Sequence, residues 1–166
     1  MNIFSAINKG TKILRDSSIL TADLDSEILM AKAINKDRKY ILMNSNENID
    51  QYSFNNFEKL IEARSKRKPI AYLTNKKFFW NTEFYVNENT LIPRPDTELI
   101  IENVLNLTKN KNQLRILDIG IGSGCILLSI LKEKKNFYGT GIDISKNCLK
   151  ISIFNAIKLK ILSRLK

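Results

Sequence analysis

Leu114-Arg-Ile-Leu-Asp-Ile-Gly-Ile-Gly-Ser-Gly-Cys125 is the stretch whose reading decides the fold. Residues Leu114 to Ile119 read as a strand, Gly120 to Gly124 as a loop, and Cys125 to Lys132 as an apolar helix. Gly120, Gly122 and Gly124 let the strand turn tightly into that helix with backbone amides toward a ligand, and a bulky residue at the middle position would obstruct close approach. Downstream, Tyr138 to Ile144 reads as a second strand and Lys146 to about Lys160 as a second helix. This alternation begins a parallel α/β sheet. Asp143 ends the second strand, 19 residues after Gly124, where an acid can accept hydrogen bonds from both hydroxyls of a ribose. Asp118, just before the loop, can order the turn or face the cationic end of a methionine-like ligand. Spacing G-x-G-x-G differs from the dinucleotide form, and no lysine follows as in a P-loop, which favours an adenosine ligand over a nucleoside triphosphate. The plainer alternative is that the glycines serve only to pack helix against sheet.

Working outward, the residues before about 75 have a different character. Apolar side chains recur at helical intervals: Phe4, Ile7 and Leu14, then Leu24, Ile28 and Ala31, then Phe54, Phe57, Leu60 and Ile61. A small helical bundle is expected over 1–75, with Thr21 or Asp23 capping the second helix and Asp50 the last. The aromatic segment 76–91, with Asn81-Thr82 between two clusters, reads as a β-hairpin linker. Two prolines then force an extended approach through Ile92-Pro-Arg-Pro-Asp-Thr-Glu98 into a helix from Thr97 to about Leu107, with Leu99, Ile100, Val104 and Leu107 inward. The region 92–166 is expected to be the start of an α/β domain.

Composition narrows the chemistry. The 166 residues contain no histidine and two cysteines, Cys125 and Cys148, which removes Ser-His-Asp and Cys-His catalysis and an unaided structural zinc site. Neither a secretory leader nor an apolar run long enough for a membrane span is visible, so a reducing, cytoplasmic setting is expected. Both cysteines sit among apolar neighbours and read as core. A net charge of +10 could signal nucleic acid, yet 20 of the 27 basic residues are dispersed lysines without interleaved aromatics. Arg64-Ser-Lys-Arg-Lys68, the densest run, is expected to end a helix and complement its dipole.

Several of these stretches together resemble the HemK/PrmC family: Ala63 to Leu73, Phe79-Trp80, Leu91-Ile-Pro-Arg-Pro-Asp-Thr-Glu98, Leu117 to Gly124, and Gly141-Ile-Asp-Ile-Ser145. The Ile-Pro-Arg-Pro-Asp-Thr-Glu segment is the most specific of them, and the resemblance covers essentially the whole chain. It implies an S-adenosylmethionine-dependent methyltransferase that modifies the glutamine side-chain amide in the Gly-Gly-Gln motif of class I peptide-chain release factors. The fold implied is an N-terminal helical bundle followed by a Rossmann-like class I methyltransferase domain. The cofactor-binding set carried over is Asp118, Gly120, Ile121, Gly122, Ser123, Gly124 and Asp143.

The sequence also departs from the family pattern. Lys68 stands where an acidic residue is usual, Asn75 where glycine is, Asp96 for glutamate, and Ile121 where threonine is common. The family's Asn-Pro-Pro-Tyr substrate motif is absent, since the only prolines are Pro69, Pro93 and Pro95. No catalytic residue and no metal ligand is therefore assigned. The expectation is an incomplete fragment whose methyltransferase domain is truncated after a βαβα run, with 164–166 as the candidate start of a third strand. Such a fragment would transfer no methyl group alone, or would pair with a separately encoded C-terminal half. A nucleic-acid amino methyltransferase fragment and a non-enzymatic release-factor- or RNA-binding adaptor are the alternatives.

Overall fold

Helix starts in the first part of the chain are set by side chains that accept from the unpaired amides of a first turn. In the computed structural model, which describes residues 1–166, Asn2 Oδ1 accepts from the Ser5 amide at 2.8 Å and opens α1 (Ile3–Asp16). Helix α2 (Ala22–Ala33) follows Thr21, whose hydroxyl donates to Asp25 at 2.9 Å instead of capping the amides. Asp37 caps α3 (Arg38–Met43), and Asp50 caps α4 (Gln51–Ser65) as expected, accepting from both the amide and the hydroxyl of Ser53. A short α5 (Ile70–Thr74) closes this compact unit, Met1–Thr74.

Its core is built from Ile3, Ala6, Leu14, Leu29, Met30, Ile41, Phe57 and Ile61, with Phe54 and Leu60 packed at the edge. Three expected core residues lie outside it: Phe4 is 57% and Leu24 42% exposed, and Ile28 is half-buried. Capping at Asn2 sets the phase of α1 so that 3, 6, 10 and 14 face inward, and Phe4 is turned about 100° away. In α2 the inward positions are Ala22, Asp25, Ser26, Leu29 and Met30. Asp25 is held there by Arg64, whose Nε donates to Oδ2 at 2.7 Å, while its Nη1 donates to the Lys68 carbonyl at 3.2 Å. Arg64 thus ties α4 to α2 rather than only facing a helix dipole.

The second unit, Asn75–Lys166, begins at Asn75 with φ +59°, a left-handed conformation that asparagine tolerates better than most residues. The glycine usual in the resembling family has a conformational reason here. Strands β1 (Lys76–Phe79) and β2 (Thr82–Tyr85) form an antiparallel hairpin with Phe79 opposite Thr82. Its two-residue turn is Trp80-Asn81, both at positive φ, and not Asn81-Thr82. Thr82 belongs to the strand and is buried. Phe79 and Phe84, edge to face at 6.3 Å between centroids, join the core of this unit.

Pro95 starts a 3₁₀ turn over 95–97 that leads into α6 (Glu98–Leu107). Glu98 accepts from the Trp80 amide at 2.9 Å, so the proline-rich segment pins the hairpin turn. The inward face of α6 is Ile101, Val104 and Leu105. Leu99, Ile100 and Leu107, expected inward, are 60%, 49% and 82% exposed. Apolar residues on both sides of α6 made two stripes available, and only Ile101 with Val104 and Leu105 continues the i, i+3, i+4 face onto the core.

Strand β3 (Arg115–Ile119), helix α7 (Cys125–Glu133), strand β4 (Tyr138–Ile142) and helix α8 (Lys146–Lys158) complete the expected βαβα run. The strands are parallel, with Leu117 opposite Thr140 and Ile119 opposite Ile142. Leu165 adds a parallel bridge to Gly139, the beginning of pairing on the other edge of β4. The mixed helix-and-sheet class expected from the sequence is thus the one observed. One face of this sheet packs on Leu127, Leu128, Ile130 and Leu131 of α7. The opposite face is bare: Leu117, Ile119 and Ile142 are 58%, 76% and 46% exposed, unusual for a parallel sheet.

Candidate functional site

The residues singled out in the sequence gather at the carboxyl ends of β3 and β4, the edge at which open α/β sheets bind ligands. Ile119, Gly120, Ile142, Asp143 and Ile144 line an open concavity of about 440 Å³ there. Gly120, Gly122 and Gly124 all have positive φ, from +56° to +82°. A Cβ added at Gly120 would meet nothing within 4 Å and would stand in open space. At Gly124 it would lie 2.8 Å from Leu128 Cδ1 and 3.3 Å from Ser152 Cβ. The first glycine therefore keeps space clear, and the last lets the loop approach α7 and α8.

Most loop amides are not free donors. Gly120 and Ile121 both donate to the Ile142 carbonyl, at 2.8 and 3.0 Å, and Gly124 donates to Ile121. Gly122 donates to Asp143 Oδ2 at 2.9 Å, while Oδ1 accepts from Ser145 at 2.8 Å. Within the loop, only the Ser123 amide lacks a protein partner. The loop is thus held open by its own bonds, and Asp143 is part of what holds it. Ile121 has its side chain in the core, 5% exposed, filling the space left by the absent side chain of Gly141. It can offer a ligand only its backbone, so its departure from threonine leaves the concavity unchanged. Cys125 packs half-buried against the apolar core, and burial pushes its thiol up, whereas Cys148 is buried outside the apolar clusters with its thiol donating to the Asn89 carbonyl at 3.0 Å.

The two carboxylates differ in environment. Hydrogen bonds from the Ser145 and Gly122 amides hold the Asp143 carboxyl below its ordinary value. Burial pushes the Asp118 carboxyl up, opposed by the Leu127 amide and assisted by the charge of Asp143. The signs for stability are therefore opposite. The Asp143 contribution is complete above the ordinary aspartate value and is lost as pH falls through the lowered one, whereas the cost of ionised Asp118 is relieved as pH falls through the raised one. Carboxyl-carbon NMR titration should show Asp118 taking its proton at higher pH than Asp143. The reverse order would contradict the environments described.

Two residues escaped the sequence reading. Ile144 projects fully exposed beside Asp143 and gives the concavity an apolar flank; its place directly after an acidic strand end was the available signal. Asn155, on α8, is completely buried, and its amide reaches both the loop and the hairpin. Nothing in a polar residue in the last turn of a helix announces that role.

Residues 5–74 match the family model described as the PrmC N-terminal domain. The part of the chain that this model matches is the helical unit. The chain is 39% identical to a release factor glutamine methyltransferase of Leptospira interrogans, over 95% of this chain and 56% of that protein. It is 34% identical to another from Clostridium acetobutylicum, over 100% of this chain and 58% of that one. A bifunctional methyltransferase of Rickettsia bellii is 35% identical over 96% of this chain and 33% of its own length. The chain thus spans about half the length of the release factor methyltransferases it matches. No helix is long and apolar enough to cross a membrane.

Proposed function

We propose that the second unit of this chain carries the S-adenosylmethionine site of a release factor glutamine methyltransferase, and that the N-terminal helical unit contributes to gripping the release factor. The observation that carries the reading is the concavity at the strand ends, bounded by Gly120 and Asp143 with Ile144 beside it. Its residues suit an adenosine-type ligand. Asp143 retains lone pairs for ribose hydroxyls after accepting the Gly122 and Ser145 amides. Ile144 offers an apolar face to a planar base, and Gly120 leaves room for backbone approach. Asp118, behind the loop, suits the ammonium end of the amino-acid portion. When bound, the cofactor supplies an electrophilic methyl group on a sulfonium leaving group.

The chain's own part is to bind, orient and keep the loop rigid, which is how proximity is converted into rate. The acceptor in this reading is the glutamine amide of the Gly-Gly-Gln motif, a weak nucleophile whose alignment needs hydrogen-bond acceptors. An Asn-Pro-Pro-Tyr element of the kind expected for that task does not occur in these residues. Methyl transfer is accordingly proposed to require further residues from the rest of a longer chain or a partner half, in the cytoplasm. Nucleic acid as substrate is the weaker reading, because the helical unit and the Ile92 to Glu98 segment favour the protein substrate.

Isothermal titration of the chain with S-adenosylhomocysteine tests the cofactor assignment. Saturable binding that is lost on Gly120→Trp is expected, and no heat at millimolar ligand would overturn it. The loop glycines give a sharper expectation. Gly120→Ala and Gly124→Ala each place alanine at φ +82°, at about 1–2 kcal/mol. Gly124→Ala adds a close contact against Leu128 and Ser152, at about 1–3 kcal/mol more. Thermal melts should therefore separate the two, with Gly124→Ala the less stable and Gly120→Ala the poorer binder relative to its stability. Equal melting temperatures would contradict this division.

A further inference from the structure

Asn155 lies in the last turn of α8, completely buried, yet makes no use of its side chain within its own helix. Its Oδ1 accepts from the Tyr85 amide at 2.8 Å, and its Nδ2 donates to the Tyr85 carbonyl at 3.0 Å and to the Ser123 carbonyl at 2.9 Å. The orientation of the amide follows from its partners, since a flipped group would set a donor against the Tyr85 amide and its oxygen against two carbonyls. The side chain pairs with Tyr85 much as a neighbouring strand would, on the edge of β2 that β1 leaves open. Phe154 supports this pairing from the next position, edge to face with the Tyr85 ring at 5.0 Å between centroids. Ser152, one turn earlier, stands 3.3 Å from where a Gly124 Cβ would be, so α8 backs the loop at two points.

We infer that Asn155 is a positioning residue for the glycine loop, joining that loop to the aromatic hairpin so that the two are held as one body. Asp143 holds the loop from the strand side through the Gly122 amide, and Asn155 holds it from the helix side through the Ser123 carbonyl. Together they hold the Ile121–Gly122 and Ser123–Gly124 peptide planes, and between these two lies the unit that carries the Ser123 amide, which has no protein partner. The hairpin then belongs to the cofactor site mechanically, although none of its residues lines the concavity. A displacement of Tyr85 would be transmitted to Ser123 through a single amide group. This inference rests on the reading of the concavity as a cofactor site for its affinity consequence, but the coupling itself is independent of any ligand.

The test uses the full chain and two variants. Asn155→Asp keeps the acceptor for the Tyr85 amide and removes both donated bonds, whereas Asn155→Leu removes all three. Amide hydrogen exchange is read at Tyr85, Gly122 and Gly124, all bonded donors, without ligand. The Tyr85 amide should stay protected in the first variant and lose protection in the second, while Gly122 and Gly124 should exchange at least tenfold faster in both. Affinity for S-adenosylhomocysteine, measured well below the melting temperature, should fall at least tenfold in both. Phe137→Leu, in the same core but outside the loop and hairpin, should lower the melting temperature without changing affinity or exchange at Gly122 and Gly124. Unchanged exchange at Gly122 and Gly124 in both Asn155 variants would overturn the coupling whatever the ligand result. If the wild-type chain shows the exchange pattern but binds no S-adenosylhomocysteine, the cofactor reading fails and the coupling stands. An affinity loss in Phe137→Leu equal to that in the Asn155 variants would reduce Asn155 to general stability and overturn its positioning role.

Discussion

Arg64→Met is expected to destabilise the helical unit by about 3–5 kcal/mol, because it leaves the Asp25 carboxylate buried without its counter-charge. Asp25 and Arg64 side chains are only 6% and 17% exposed, so water cannot replace the lost partner. Against a total stability of about 5–15 kcal/mol for a typical domain, that loss is a large share. Urea denaturation followed by helical circular dichroism would show it as a lower midpoint. The double variant Asp25→Leu/Arg64→Met should recover most of the loss, since an apolar pair of similar volume removes both desolvation costs together. A double variant as unstable as Arg64→Met alone would mean that the pair does more than neutralise itself, for instance through the Arg64 bond to the Lys68 carbonyl. The exposed pair Arg15–Asp23 offers the contrast: at 64% and 67% exposure its removal should be barely measurable.

Asp143→Ala should weaken binding of S-adenosylhomocysteine at least tenfold in the proposed site. Hydrogen bonds to a charged acceptor contribute about 1.5–3 kcal/mol each, and a decade of affinity corresponds to about 1.4 kcal/mol. The carboxylate also holds the Gly122 amide, so affinity alone does not separate ribose recognition from loop support. A ligand lacking the 2′-hydroxyl resolves this. Wild type should bind it more weakly than the parent ligand, and Asp143→Ala should no longer distinguish the two, the coupling that a double-mutant cycle reads directly. Equal discrimination in both proteins would discard the ribose assignment and leave Asp143 as a support of the loop.

Legibility in the sequence was uneven, for reasons that differ by element. The βαβα run was readable because the three glycines at 120, 122 and 124 interrupt an apolar strand before an apolar helix, a local pattern with few conformational solutions. Asp50 as a cap was readable for the same reason, since capping is decided within one turn. The inward face of α6 was not, because Leu99, Ile100 and Leu107 are as apolar as Ile101, Val104 and Leu105. The turn of the hairpin was misplaced by one residue, because Trp80 is an unusual occupant of a left-handed position and is held there by Glu98, 18 residues on.

By itself, then, the sequence determined the order of elements, the glycine loop, the acid after the second strand and the kinship of the helical unit. These rest on short-range rules: turn chemistry, capping and the periodicity of apolar residues. Only the tertiary structure decided that Ile121 turns into the core over Gly141, that most of the loop's amides are already occupied, and that Arg64 answers Asp25. The same holds for Asn155, which serves Tyr85 and Ser123 from 70 and 32 residues away. Partnerships of this kind depend on which buried polar groups meet when separate elements pack, and the requirement that each find a partner is imposed by the interior, not by neighbours in the chain.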